Sequence, residues 1–242
     1  MVKRFAHFEV VALAAFIASA ALAQQYQMEL TSVGDGVVAA GAYVGPYVGE
    51  VVQGGTITGG NIVGGTTLYT GYMICDDYTT QSFLNTPWKV SATNAGALNG
   101  TQKNTARTTG YSAGYTVQQD YDAVAWLANQ LLLSQNVTNP TEQIDYSFAI
   151  WDIFDGYQTD PNHQGAVSGL ISQAFAQVAA GYVGTNVSVF TPSPLNASQE
   201  FLVVKSPVAT PEPAETGLLL VDLTAALAAV FLLRRKSIRG LN

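Results

Sequence analysis

Strand-like and helical segments do not alternate along this chain. They are segregated, and the segregation limits the fold more than any single motif does. Residues 24–104 read as strands, because "GAYVGPYVGEVVQGG", "TITGGNIVGGTTLYTGYMICDDYTT" and "PWKVSATN" set Val, Ile, Tyr and Thr between glycine-rich turn signals. Residues 117–182 read as helices, and residues 186–206 return to strand character in "NVSVFTPS" and "QEFLVVKS". The sheet system is expected to be antiparallel and the class α+β: a β-rich sandwich or barrel with a three-helix insertion.

The helical pattern is specific enough to assign faces. "QQDYDAVAWLANQLLL" puts Tyr121, Val124, Ala125, Ala128, Leu131 and Leu132 on one side of a helix. "NPTEQIDYSFAIWDIFDG" opens with Asn139 as N-cap, Pro140 at the first helical position and Glu142 three residues after the cap, and it closes at Gly156. Its inward stripe is Ile144, Ser147, Phe148, Trp151 and Phe154 or Asp155, with Trp151 inserted against the first helix. A third helix spans residues 165–180. The glycine-rich piece 54–65 has hairpin spacing and lacks the Lys-Ser/Thr ending of a phosphate loop.

Charge and cysteine content exclude several functions. From Gln24 to Ala209 there are 13 acidic residues against four basic ones (Lys89, Lys103, Arg107, Lys205), a net charge of −9. Phosphate backbones are bound by Lys and Arg, so nucleic acid is excluded as a partner. One cysteine, Cys75, forms no internal disulfide, and with His163 as the one histidine of that stretch a Cys/His zinc site lacks ligands. Asp76, Asp77, Asp120, Asp122, Asp152 and Asp155 come in pairs without a calcium-loop motif. Asp120 and Asp122, at a helix start, read as solvated charges that suit the helix dipole. A Ser-His-Asp hydrolase would have to use His163 in "DPNHQG", and no serine sits in a nucleophile-elbow motif. No catalytic residue, metal ligand or cofactor is assigned, and the chain is not expected to be an enzyme.

Two apolar segments bracket the chain. Lys3 and Arg4 precede the apolar run 10–22, and Ala21 and Ala23 supply the small residues that signal peptidase accepts, so residues 1–23 read as a signal peptide and Gln24 as the mature N-terminus. At the other end, residues 207–216 form a proline-stiffened spacer carrying Pro211, Glu212 and Pro213. Residues 217–239 follow as one membrane helix ending in Arg234, Arg235 and Lys236, a basic cluster that stops transfer. Asp222 interrupts the helix at a cost of about 3 kcal/mol on insertion scales. This ordered set resembles the PEP-CTERM sorting signal of Gram-negative bacteria. The resemblance implies recognition and cleavage by an exosortase-type membrane enzyme, transient anchoring in the inner membrane, and a final place at the cell surface or in the extracellular matrix. An ordinary C-terminal membrane anchor is the alternative reading.

Within the body, residues 24–206, the stretch 43–156 carries a second resemblance. "GYMICDDY" around Cys75, "YDAVAWLANQL" and "YSFAIWDIF" are similar to the thioester-type domains of bacterial surface adhesins. That family implies a bond between a cysteine sulfur and a glutamine carbonyl, and the match lies in Cys75, Asp77, Ala149, Ile150 and Trp151. Aligning Ala149, Ile150 and Trp151 puts Tyr146 at the family's Thr position and Ser147 at its Gln position. Serine has no carbonyl for a thiol to attack. Gln143, one helical turn earlier, is the remaining candidate donor. Without a donor Cys75 is a buried, inert thiol on the apolar side of a strand, and Asp76 alternates outward.

A structural or adhesive role in biofilm or exopolysaccharide follows as the expected function, with exopolysaccharide or other surface proteins as partners. Two alternatives stand beside it. One is a covalent thioester adhesin using Cys75. The other is a glycan-binding module using the cluster of Tyr43, Tyr47, Tyr69, Tyr72 and Tyr78, whose rings have apolar faces and whose hydroxyls hydrogen-bond.

Overall fold

The computed structural model describes residues 26–98, 114–156 and 161–205. The signal segment, the Pro-Glu-Pro spacer, the apolar tail with its basic end, Lys103 and Arg107 lie outside the described residues. The first eight strands are β1 (Tyr26–Ser32), β2 (Val38–Ala39), β3 (Ala42–Tyr43), β4 (Tyr47–Gln53), β5 (Thr56–Thr58), β6 (Asn61–Val63), β7 (Thr66–Cys75) and β8 (Trp88–Asn94). Helices α1 (Val117–Leu131), α2 (Ser134–Val137), α3 (Pro140–Asp155) and α4 (Gln164–Ala179) follow, then β9 (Val187–Pro192) and β10 (Phe201–Val204).

Six strands close into an antiparallel barrel in the order β1-β4-β7-β10-β9-β8, while β2–β3 and β5–β6 form separate two-stranded ribbons. The sandwich alternative is therefore set aside. Closure removes the sheet edges that an exposed antiparallel sheet would leave. Its lining is apolar: Met28, Leu30, Val51, Met73, Val90 and Phe201 are all buried. Gly59 and Gly60, with φ of +57° and +74°, make the β5–β6 turn, the both-positive geometry that matches strand twist. The glycine-rich piece is a hairpin, as its spacing predicts.

The helical block is an insertion into one hairpin. β8 and β9 are antiparallel neighbours from Val90↔Pro192 to Asn94↔Ser188, and everything between them leaves and re-enters the barrel at adjacent points. α1 packs on β10 as well as on α3 and α4. α1 starts at Thr116, whose side chain and that of Gln119 form a reciprocal capping box. α3 starts at Asn139, whose side chain accepts from the Thr141 N–H, with Pro140 next and Gly156 closing it. The three long helices fall where periodicity places them. The expected three-helix insertion gains a fourth, the single turn α2, because four residues are too short to show a period.

Two orientation readings are corrected. Asp120 and Asp122 are not solvated: both are buried, because α1 is covered by helices on one side and the barrel on the other. The Asp122 carboxylate accepts from the Gly184 N–H (2.8 Å) and from the Gln118 amide (3.2 Å). Burial holds its pKa above the ordinary value, partly offset by those two bonds. Likewise α3 has no narrow stripe. Ile144 is half-buried, whereas Gln143, Asp145, Tyr146, Ala149, Ile150 and Ile153 join Phe148 and Trp151 inside.

Buried polar groups join the two layers. Glu200, just before β10, accepts from the Tyr121 hydroxyl on α1 (2.8 Å) and from Thr191 Oγ1 on β9 (2.9 Å). Asn129 on α1 donates to the Tyr182 hydroxyl (3.0 Å), and Asn186 donates back to Asn129 Oδ1 (2.8 Å). Each bond of this kind contributes about 1 kcal/mol, and leaving either buried partner unmatched costs more.

One barrel pair works against stability. Glu29 on β1 lies directly across from Glu50 on β4, and among the described residues its buried carboxylate has no hydrogen-bond partner. Burial first and Glu50 second hold the Glu29 pKa above its ordinary value of 4.5. A raised carboxyl favours the folded state in its neutral form. Its stabilising contribution is complete below 4.5 and is lost as pH rises through the raised value. Glu29→Gln should therefore stabilise the protein at neutral pH by about 0.2–1 kcal/mol, the size of a like-charge cross-strand pair. Thermal unfolding should show the gain shrinking as pH falls toward 4.5; a gain independent of pH would mean that charge is not its cause.

Candidate functional site

The residues singled out by sequence meet where the end of β7 runs under α3. Trp151 is 1% exposed, and its indole N–H donates to the Cys75 carbonyl at 3.0 Å. Its ring lies 5.1 Å from Tyr78 and 5.7 Å from Phe148. Phe154, one turn on, has its ring 4.7 Å from Tyr121 of α1, and Trp151 is bonded to the barrel.

Cys75 is 2% exposed, as expected for the apolar side of a strand. Its Sγ donates to the Asp77 carbonyl (3.2 Å) and accepts from the Asp77 N–H (3.4 Å). Asp76 does not alternate outward. It is fully buried, because alternation ends with the strand and the chain turns beneath α3 and beside Glu200, whose carbonyl accepts from the Asp76 N–H at 3.2 Å. Asp77 organises the turn: its Oδ1 accepts from the N–H groups of Thr79 and Thr80 and from the Thr79 hydroxyl, while its carbonyl also accepts from the Gln199 amide at 2.7 Å. The Tyr78 N–H donates to Asp155 at the end of α3.

One and two turns back along α3 stand Ser147 and Gln143. Ser147 Oγ accepts from the Gly45 N–H at 2.8 Å. Gly45 has φ of +84°, and a Cβ there would come within 2.4 Å of Gln143 Oε1, so glycine alone lets the loop before β4 approach the helix. The Gln143 amide nitrogen donates to Asp35 (3.0 Å) and to the Val137 carbonyl (2.6 Å). The structure thus gathers Cys75, Ser147, Gln143 and Trp151 around one helix face. Among the described residues no group of three or more His, Cys, Asp or Glu side chains is arranged to hold a metal ion. His163 lies elsewhere, at the start of α4, with its Nδ1 2.5 Å from Asp145 of α3.

Beside the β7 turn opens a cleft of about 450 Å³. Tyr47 and Trp151 line it together with Tyr43 from β3 and Tyr78, Thr79, Thr80, Gln81 and Phe83 of the segment after β7. The Tyr47 hydroxyl donates to the Tyr43 carbonyl at 2.9 Å. Burial, then neighbouring Cys75 and Tyr43, push its pKa up, which keeps the phenol neutral. Of the five clustered tyrosines, Tyr43, Tyr47 and Tyr78 meet here. Tyr69 and Tyr72 do not line the cleft: the Tyr69 hydroxyl donates to the Tyr72 carbonyl at 2.6 Å. Sequence reading missed Phe83 and Gln81, which sit in a turn-rich stretch without periodicity. Two aromatic-polar steps in "DDYTTQSF" were the available signal.

No family model matches the chain, and no curated protein matches it. Among solved structures it is similar to the N-terminal domain of the Streptococcus pyogenes pilus tip adhesin Cpa, with a TM-score of 0.44 and 12% identity over 79% of this chain and 97% of that chain.

Two measurements probe the site. Trp151→Ala should lower stability by about 3–5 kcal/mol, as expected for a fully buried ring. Trp151→Phe keeps part of the ring but takes the indole donor from the buried Cys75 carbonyl, a cost of about 1–3 kcal/mol. Urea midpoints that do not separate the two variants would show that packing contributes little. Cys75 should react slowly with alkylating reagents in the native state and stoichiometrically after denaturation, with an intact mass equal to the sequence and no methylamine uptake. A mass lighter by one ammonia, together with methylamine uptake that releases one thiol, would mean that the thiol had displaced the amide nitrogen of Gln143, forming a C–S bond; ammonia loss without that uptake is cyclisation of the N-terminal Gln24.

Proposed function

We propose that this is an exported adhesive protein, held at the cell surface or in the extracellular matrix, that binds its partner non-covalently through the cleft beside β7. The cleft carries this reading: it combines solvent-facing aromatic rings with hydroxyl and amide groups, the composition of a recognition site. Non-covalent binding is favoured because Ser147 offers no acyl group and Cys75 is enclosed in its own turn by two contacts to Asp77. The covalent alternative would require Gln143 to give up its bonds to Asp35 and Val137.

The ends of the chain supply the location. A signal segment ending at Ala23 and a tail in which Pro211, Glu212 and Pro213 precede an apolar stretch and Arg234, Arg235 and Lys236 support export followed by exosortase-type processing. Exopolysaccharide or another surface protein is the partner class this location offers. No enzymatic activity is part of the proposal.

Mass spectrometry of the protein recovered from outside the cell should find Gln24 at the N-terminus and a C-terminus near residues 211–214. Finding the residues 234–239 peptide on that form would rule out a removed sorting tail. Cells carrying Tyr43→Ala with Phe83→Ala should adhere less than cells with the native chain at equal surface abundance. Equal adhesion would remove the cleft from the function.

A further inference from the structure

The chemistry of the cleft narrows its ligand. Two of its rings face solvent: Tyr43 is 47% exposed and Phe83 is 64% exposed. They come from separate segments, β3 and the stretch after β7, so the fold presents aromatic surface from both. Rings left this open in a lined concavity contribute nothing to the core and are suited to covering a partly apolar face. Between them the walls offer the Thr80 hydroxyl, the Gln81 amide and the Gln199 amide oxygen, whose amide nitrogen is already given to Asp77.

Among the described residues, none lining this cleft is Lys, Arg, His, Asp or Glu. The carboxylates of Asp77 and Asp155 are turned into the turn that they hold together. A ligand carrying phosphate, sulfate or carboxylate would find no cation here, and it would enter the field of a domain with a net charge of −9. A ligand that stacks on aromatic rings, needs several neutral hydrogen bonds and carries no charge is a sugar ring. Pyranoses present apolar C–H faces and a rim of hydroxyls, which amides and hydroxyls match. A volume of about 450 Å³ seats a ring or two and lies within the usual range of small-ligand sites, about 300–1,000 Å³.

We propose that the cleft binds a neutral saccharide, with Tyr43 and Phe83 stacking on pyranose faces and Thr80 and Gln81 hydrogen-bonding to ring hydroxyls. The inference rests on the reading of this cleft as the adhesive surface, and it names the ligand class. Specificity against acidic polysaccharides comes from the absence of any cation in the lining and from the acidic domain around it. The tyrosine hydroxyl is secondary to its ring.

The full-length chain, held in a detergent without a sugar headgroup, would be titrated with neutral gluco-, galacto-, manno- and N-acetylglucosamine oligosaccharides. Oligogalacturonate, a sulfated glycosaminoglycan fragment and a proline-rich peptide complete the set. Calorimetry and intrinsic tryptophan fluorescence, to which Trp151 in the cleft lining contributes with Trp88 and Trp126, provide two readouts. A neutral oligosaccharide should bind saturably and equally at low and high salt. Tyr43→Ala and Phe83→Ala should each weaken it about three- to tenfold, the contribution of one stacked ring. Tyr43→Phe should keep the native affinity, and Gln81→Ala should weaken it. All three positions are exposed, so unchanged thermal unfolding of the four variants checks that the fold is intact.

Binding of no neutral saccharide overturns the proposal, as does equal binding of the uronate or sulfated fragment, or native affinity in both alanine variants. If sugars fail while the peptide binds, or while cell adhesion still depends on Tyr43 and Phe83, the cleft remains the adhesive surface and only the ligand class is wrong. If adhesion is also indifferent to both rings, the adhesive reading falls with it.

Discussion

The bond from the Trp151 indole to the Cys75 carbonyl is the joint on which the site depends. It fastens α3 to the last residue of β7, and the helix then carries two further contacts at fixed intervals. Ser147, one turn back, receives the Gly45 N–H; Gln143, two turns back, sits against Gly45 and holds Asp35. The same bond turns the other edge of the indole toward Tyr78, so Trp151 is at once a core residue, a clamp and part of the cleft lining. A ring buried this completely contributes chiefly through packing, while its single polar atom sets the position of the helix along the strand.

Inserting a helical block into the β8–β9 hairpin creates a junction that hydrophobic packing alone does not specify. An apolar helix face could slide along a barrel wall at small cost. The buried carboxylates remove that freedom. Glu200 joins Tyr121 to Thr191, and Asp122 holds the Gly184 N–H, so a shift of α1 by one turn would break several charge-assisted bonds at once. Raised pKa values at Asp122 and Asp152, both caused first by burial, mark the desolvation that these placements entail. Lacking an internal disulfide, the chain relies on this combination of a closed barrel and a shared apolar core.

The Cys75 region shows how a reactive-looking element can be accommodated as structure. The sulfur exchanges two contacts with the backbone of Asp77, and the Asp77 side chain caps Thr79 and Thr80, while Glu200 and Asp155 take the N–H groups of Asp76 and Tyr78. With serine at position 147, the oxygen that faces the loop accepts a hydrogen bond from the Gly45 N–H and offers the thiol no acyl group. The cleft proposed for recognition lies beside the cysteine, lined in part by the residues that follow it, Tyr78 to Phe83.

Much of this architecture was legible in the residues themselves. Segregated strand and helix patterns gave the α+β class, and Asn139-Pro140 with Gly156 bracketed α3 because caps act locally. Trp151 and Cys75 were recognisable as interior from their positions in periodic segments. Barrel closure was not legible, since a strand's partner depends on residues far away in the chain. Nor was the burial of Asp76, Asp120 and Asp122, which a local pattern assigns to solvent until a second layer covers them. The cleft is the clearest case: Tyr43 and Phe83 lie 40 positions apart in stretches without period, and only the tertiary structure brings their rings to one opening. Local rules place a side chain relative to its own backbone; what lies opposite it is decided by the packing of the whole chain.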